Sequence, residues 1–521
     1  MVDVLYSLVD VNERLNQLIF DPFYVLNLDM TMKSSYDDTF SISDKVLDRI
    51  CKNVLPRIHH HVNKLTVEPH SLKYILRNFN IYPQLFSLSF INFQEEILYQ
   101  YLTGDSSLHR LLTEQITHLN ILIQNEIIPT FFETLSDVFI LILSSCKRLI
   151  SLDFFQLFPD QMWSGNIFTL PSTSYTSLTL TQLKINVKTF HACLYLLDGR
   201  LHNLSTLIIN VSNISRTLSN IDKIIVILLI LFSLWQKIPK LKYFSLTSLD
   251  DTYNYDDEII PLLHRMMNLE ELMLCLSIIR VDLPYIDGTH LHEEIQSHMP
   301  RLNKLIFSIN TTIVKNNINI NFPSNEDIQR TFIERGYQQV GSYVDSTVQE
   351  GEGRCHVYSL PYQFESFLHL NNSFQGGTFN KVWYLTMTDD RPFEHEFFKI
   401  MSQNFPFLKT LSICNKKPQK NKQHSSTLIT FPHLTALNLN LAHMNYGKQF
   451  LLEQNTYLPC LSILKIRYKT LTKITKNFTN NAARLNCNKL RYLHMNGFDH
   501  LPSNFHHYFP SLKSYFGYIF I

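Results

Sequence analysis

Clustered histidines and histidines beside carboxylates are the side chains here best suited to chemistry, and three places stand out. These are His59-His60-His61, His290 with His292-Glu293-Glu294, and Glu394-His395-Glu396. A zinc hydrolase needs H-E-x-x-H, two imidazoles one helical turn apart on one metal, with the glutamate as base. Neither His292-Glu-Glu294 nor Phe393-Glu-His-Glu-Phe397 completes that pattern. Adjacent side chains on a strand point to opposite faces, so His59–His61 read as a solvated loop entering a strand over 62–67. His290 and His292 would share a face on a strand, but no third ligand accompanies them, and they read as surface histidines. No G-x-S-x-G nucleophile elbow is present. Gly351-Glu-Gly353 lacks the rest of a phosphate loop and reads as a hairpin turn. The eight cysteines include no C-x-x-C pair and read as buried, reduced thiols. The expectation is a protein that is not an enzyme, with no catalytic residue, no metal site and no cofactor.

The elements that would carry any binding residues come from a repeat. Phe405-Pro-Phe-Leu-Lys-Thr-Leu-Ser-Ile413, Phe431-Pro-His-Leu-Thr-Ala-Leu-Asn-Leu439 and Leu458-Pro-Cys-Leu-Ser-Ile-Leu-Lys-Ile466 share Pro-x-Leu-x-x-Leu-x-Leu/Ile, about 26 residues apart. Each copy ends in apolar-polar alternation, the mark of a half-buried strand. The same 1-4-6 spacing recurs at Leu85–Phe90, Ile116–Ile121, Leu149–Phe154, Leu180–Ile185, Leu204–Ile209, Leu241–Leu246, Leu269–Leu274, Leu302–Phe307, Val382–Met387, Leu490–Met495 and Leu512–Gly517. Helical segments are expected between copies, at 129–146, 188–198, 221–236 and 256–267. One unit cannot bury its leucines alone, so neighbours must supply the second wall. Parallel inner strands with wider helices outside force curvature. The predicted class is α/β: a leucine-rich-repeat horseshoe solenoid.

Bulk properties bound the partners. The chain has 521 residues, is 45% hydrophobic, and has a formal net charge of +1, from 46 basic and 45 acidic residues. That balance predicts no nucleic-acid partner. The most apolar run, 224–235, is about 12 residues against the roughly 20 a bilayer requires, so no membrane partner is expected. With no signal-peptide pattern at the N-terminus, a cytoplasmic or nuclear location is expected.

Residues 1–24 differ from the repeats. Val4, Leu8, Val11, Leu15 and Leu18 fall at helical spacing, with Leu5 and Ile19 widening the stripe, and Asp21-Pro22 stops the helix. Asp3-Val4, Val11, Leu15 and Asp21-Pro22 before Phe23 resemble the second half of an F-box. The family's opening Leu-Pro-x-Glu helix is not in this sequence, and Leu15 stands where a tryptophan is common. The resemblance implies that Val4, Leu5, Leu8, Val11, Leu15, Leu18, Asp21 and Pro22 dock on the Skp-type adaptor of a cullin–RING ubiquitin ligase. It also implies that docking is weakened or lost where the first helix is missing. The other reading of the same stripe is a plain cap on the solenoid's first repeat.

The expected organisation is therefore a partial F-box-like segment over 1–24, irregular repeats over 25–307, an atypical repeat or insertion with a β-hairpin over 308–381, and regular repeats over 382–521. No consistent asparagine ladder follows the strands, Asn415 and Asn496 standing alone, which resembles the long repeats of F-box and ribonuclease-inhibitor-like proteins. The target protein, whose identity the sequence does not name, is expected on the concave strand face, at Lys409, Ser412, Thr435, Asn438, Ser462, Lys465, Arg491 and His494, with Thr410 among them. The expected function is substrate recognition for a Skp–cullin–RING ligase; the alternative is a repeat scaffold without ligase function.

Overall fold

The computed structural model describes residues 7–33, 39–40, 42–75, 82–104, 106–123, 133–154, 176–214, 240–314, 322–337, 339–345, 352–420, 427–497 and 501–518. The chain divides into two compact units, one of residues 1–276 and 291–305, the other of 277–290 and 306–521. The larger sheet has twelve strands and the second sheet seven.

Over residues 27–281 the strands follow the repeats. They are β1 (Asn27–Met30), β2 (Lys64–Val67), β3 (Ser87–Phe93), β4 (His118–Ile123), β5 (Ser151–Phe154), β6 (Gln182–Thr189), β7 (Thr206–Asn213), β8 (Tyr243–Thr252) and β9 (Glu271–Val281). Consecutive strands from β1 to β8 pair in parallel. The register places Leu65, Leu88, Leu119, Leu152, Leu183, Leu207 and Phe244 in one row, and every one is buried. This is the fourth position of Leu-x-x-Leu-x-Leu, whose burial contributes about 1.5–3 kcal/mol for each side chain. Helices Glu133–Ser145 and Phe190–Leu196 lie within two of the expected helical segments. Over 256–267 the helix is divided, a π-turn at Tyr255–Ile259 leading into Ile260–His264. The segment 221–236 lies outside the described residues.

Next in the chain are β10 (Lys304–Val314), β11 (Val340–Asp345) and β12 (Glu352–Ser359), with β12 antiparallel to both others. The helix Asn325–Glu334 lies between β10 and β11. A capping box starts it, the Ser324 hydroxyl accepting from Asp327 N–H while the Asp327 carboxylate accepts from Ser324 N–H.

The seven-stranded sheet follows, all parallel: β13 (Ser366–Leu370), β14 (Tyr384–Thr388), β15 (Thr410–Cys414), β16 (Ala436–Asn438), β17 (Ile463–Arg467), β18 (Tyr492–Asn496) and β19 (Ser514–Tyr518). Leu385, Leu411, Leu437, Leu464 and Leu493 share a register row and are at most 1% exposed. The proline explains how each repeat enters its strand. Leu408, Leu434 and Leu461 N–H donate to the carbonyls of Phe405, Phe431 and Leu458, three residues back. Pro406, Pro432 and Pro459 thus occupy the second turn position, where a fixed φ near −65° is already correct. Between strands the helix Met444–Leu451 lies against Tyr468–Thr475. Gly447 permits the approach, because a Cβ there would stand 2.5 Å from the Ile474 side chain.

Candidate functional site

The N-terminal stripe is not one helix. Asp10 takes a φ of 62°, and a new helix starts at Glu13, with Asn12 Oδ1 accepting from Leu15 N–H at 2.8 Å. A short polar side chain tolerates the left-handed region and competes for backbone donors, so Asp10–Asn12 breaks the periodicity that the apolar residues alone suggest. The break redistributes the candidate docking residues. Val11, Leu18 and Phe23 are exposed, at 59%, 54% and 76%, while Leu8 and Leu15 are half-buried. Asp21 Oδ1 accepts from Phe23 N–H at 2.8 Å, capping the single turn Pro22–Val25. Val4 and Leu5 lie outside the described residues.

The other side of this segment is anchored. Val9 and Val25 are each 1% exposed. Arg57 Nη1 pairs with the Asp10 carboxylate at 3.0 Å, Arg49 Nη2 donates to the Val9 carbonyl at 3.3 Å, and the Arg57 guanidinium lies over the Phe20 ring. Both arginines belong to the helical stretch from Asp44 to Ile58, which contains a π-turn at Ile50–Val54. His59–His61 form its closing 3-10 turn; the expected loop at that place is helical.

The repeat-face candidates separate into two sets. Ser412, Asn438, Lys465 and His494 share one register row, on the strand face opposite the buried leucines. Lys409, Thr435, Ser462 and Arg491 do not lie in the strands. Each precedes its strand by one residue, in the turn, where their backbones link in series: Thr435 N–H to Lys409 O, Ser462 N–H to Thr435 O, Arg491 N–H to Ser462 O. Tyr384, Thr410, Ala436, Ile463 and Tyr492 are also on the face of Ser412, and of these Tyr384, Thr410 and Ala436 are buried. Strict alternation counted from Leu411 identifies this row, since positions three and five of the motif share a face and position two does not. Within the row of Ser412, His494 is held neutral near pH 7: burial, then the neighbouring Lys465 charge, pull its pKa down to about 4.

A short polar ladder joins three successive strand ends, and at the equivalent point of the next repeat stands Leu441. Asn372 N–H and Nδ2 donate to Asp389 Oδ2 at 2.7 and 2.8 Å, and Asp389 Oδ1 accepts from Arg391 N–H at 2.7 Å. Asn415 Nδ2 then donates to the Arg391 carbonyl at 2.7 Å. Asp389 and Asn415 are 26 residues apart, at the same point of successive repeats. The aspartate conceals the pattern from a search for asparagine alone.

A second polar network is fully enclosed. His356, 1% exposed, contacts Tyr343 OH and Ser308 Oγ at 3.0 Å each, and Ser308 Oγ contacts Tyr362 OH at 2.9 Å. Burial brings the His356 pKa down to about 3, with His369 adding a smaller share. Tyr362 OH donates to the Ser366 carbonyl at 2.6 Å. Ser308, Tyr343 and His356 are each at most 3% exposed, so the hydroxyls and the imidazole fix the strands and face no solvent.

The remaining chemistry-bearing residues are engaged locally. His290 and His292 lie on the helix Gly288–Glu294, where a two-residue step does not put them on one face. His395 contacts Gln449 Oε1 through Nδ1 and the Thr427 carbonyl through Nε2. All eight cysteines are free thiols, and Cys146, Cys193, Cys275, Cys355 and Cys487 are buried. Burial pushes Cys146 and Cys193 up to about 12. Among the described residues no helix is long and apolar enough to cross a membrane.

No protein-family model matches the chain, and no curated protein matches it. Among solved structures, the crystal structure of the Rad7 and Elc1 complex in yeast aligns over 92% of this chain and 89% of the other. The identity is 12% and the TM-score 0.29, a likeness too low to carry an argument.

Proposed function

We propose that this protein is an F-box-type substrate-recognition subunit of a Skp–cullin–RING ubiquitin ligase, built on a leucine-rich-repeat horseshoe. The observation that carries the reading is the pairing of motif with exposure. The segment that resembles the second half of an F-box presents Val11, Leu18 and Phe23 to solvent, while its polar groups and Val9 anchor it. Exposed apolar side chains on a fixed segment are what an adaptor-docking surface requires. The repeat strands supply the other half, an open face of mixed polar residues, including Ser412, Asn438, Lys465 and His494, where a target protein docks. Such a receptor performs no chemistry and needs no cofactor. It raises the concentration of its target near the transferring enzyme. Its place of action is the cytoplasm or nucleus.

The test is co-purification of a Skp-type adaptor with the full-length product. Wild-type chain retains the adaptor, and Leu18→Asp with Phe23→Asp releases it without loss of fold. Failure of the wild type to retain adaptor, even with the family's opening helix joined in front, overturns the reading. A second reading, a scaffold whose N-terminus is only a cap, is favoured by the Asp10–Arg57 and Val9–Arg49 contacts, which a cap also needs. Under it the two substitutions leave all partners bound.

A further inference from the structure

The whole-chain charge of +1 conceals a division. Residues 405–521 hold fifteen Lys and Arg against two carboxylates, Glu453 and Asp499, a balance of +13. Residues 1–404 hold the remaining 31 basic and 43 acidic side chains, a balance of −12. A stretch of 117 residues with this bias has a strong positive field of its own.

The repeat geometry orders these cations into two rims. One lies at the start of the strands, with Lys409, Lys489 and Lys513 exposed and Arg491 half-buried in the turns before β15, β18 and β19. The other lies at the strand ends. Lys416 and Lys417 follow β15 and Arg467 ends β17, all exposed. Between the rims this face is neutral along β15 and β16, with Ser412 and Asn438 half-buried and Thr410 and Ala436 buried. A five-residue strand separates the rims by roughly 16 Å.

We propose that this face binds double-stranded nucleic acid through its phosphates. Two cationic rims flanking a neutral strip match two phosphate backbones flanking a groove about 12 Å wide. An acidic peptide follows a single line and would use one rim. A single strand needs exposed rings for its bases to stack on, whereas on this face Tyr384 is 8% exposed and Tyr492 half-buried. Lysine dominates over arginine, which suits contact with phosphates as point charges and not base reading through planar forks. The binding is therefore independent of sequence, and it does not depend on the ligase reading.

The experiment is fluorescence anisotropy of a labelled DNA duplex of ~20 base pairs with the full-length protein. The expected dissociation constant is on the order of 1–10 μM near ~0.1 M salt, with a slope of log K against log salt of about −4. Lys416→Glu/Lys417→Glu and Lys409→Glu/Lys513→Glu, one pair on each rim, should each weaken binding about tenfold or more and flatten the slope, with the Gln counterparts intermediate. Five results overturn the proposal: no duplex binding, a wild-type slope shallower than about −2, binding unchanged in either rim variant, tighter binding of a single strand of equal length, or displacement of the duplex by polyglutamate at a lower charge concentration. The wild-type slope needs no variant to fold. Adaptor capture is measured separately, so the two accounts fail separately.

Discussion

Acid should loosen the second unit through His356, and the size of the effect can be worked out. Its imidazole is neutral and buried, with its pKa brought from the ordinary 6.5 down to about 3 by burial. Because the folded-state pKa is lowered, the unfolded chain takes the proton first as pH falls. The stability that His356 contributes is complete above about pH 6.5 and is lost progressively down to about pH 3. Each pH unit in that window is worth about 1.4 kcal/mol, so a fall from about pH 6.5 to about 4 removes on the order of 3 kcal/mol. The assay is urea unfolding followed by the fluorescence of Trp383, in a chain whose other two tryptophans, Trp163 and Trp235, are replaced by Phe. His356→Gln keeps a polar side chain that does not titrate, and every other group titrates alike in both proteins. Wild type minus variant should therefore shrink by about 3 kcal/mol across the window. A difference that stays constant with pH refutes the reasoning.

Three further perturbations test the repeat itself. Leu437→Ala or Leu464→Ala removes a buried member of the leucine row and should cost about 2–5 kcal/mol in urea unfolding. Asp389→Ala leaves the N–H groups of Asn372 and Arg391 without their acceptor, at about 1–3 kcal/mol each, and should raise hydrogen exchange at those two amides first. Gly447→Ala forces a Cβ to within 2.5 Å of Ile474 and should lower the melting temperature, with partial recovery when Ile474→Val makes room.

The architecture was legible because its signal is periodic. Leu-x-x-Leu-x-Leu fixes which side chains face inward, and the prolines at 406, 432 and 459 fix the turns before the strands. What escaped has identifiable causes. The apolar spacing of Val4 to Leu18 carries no sign of the left-handed Asp10 and the capping Asn12 that divide the stripe. Lys409, Thr435, Ser462 and Arg491 resemble the strand residues in polarity and differ from them in parity, and parity sets the face. The ladder from Asn372 through Asp389 to Asn415 was hidden by one aspartate, which accepts hydrogen bonds but cannot donate them. The charge division was hidden by averaging over the whole chain. Pairings across the sequence, such as His356 with Ser308 and Tyr343, come from the fold and have no local signature.

The measurement that bears most directly on the functional account is adaptor capture by the full-length product, read with and without Leu18→Asp and Phe23→Asp. The account predicts a complex of the chain with a Skp-type adaptor that survives gel filtration and dissolves when the two exposed side chains are charged. No complex with the wild-type chain, with the family's opening helix joined in front of it, would contradict it.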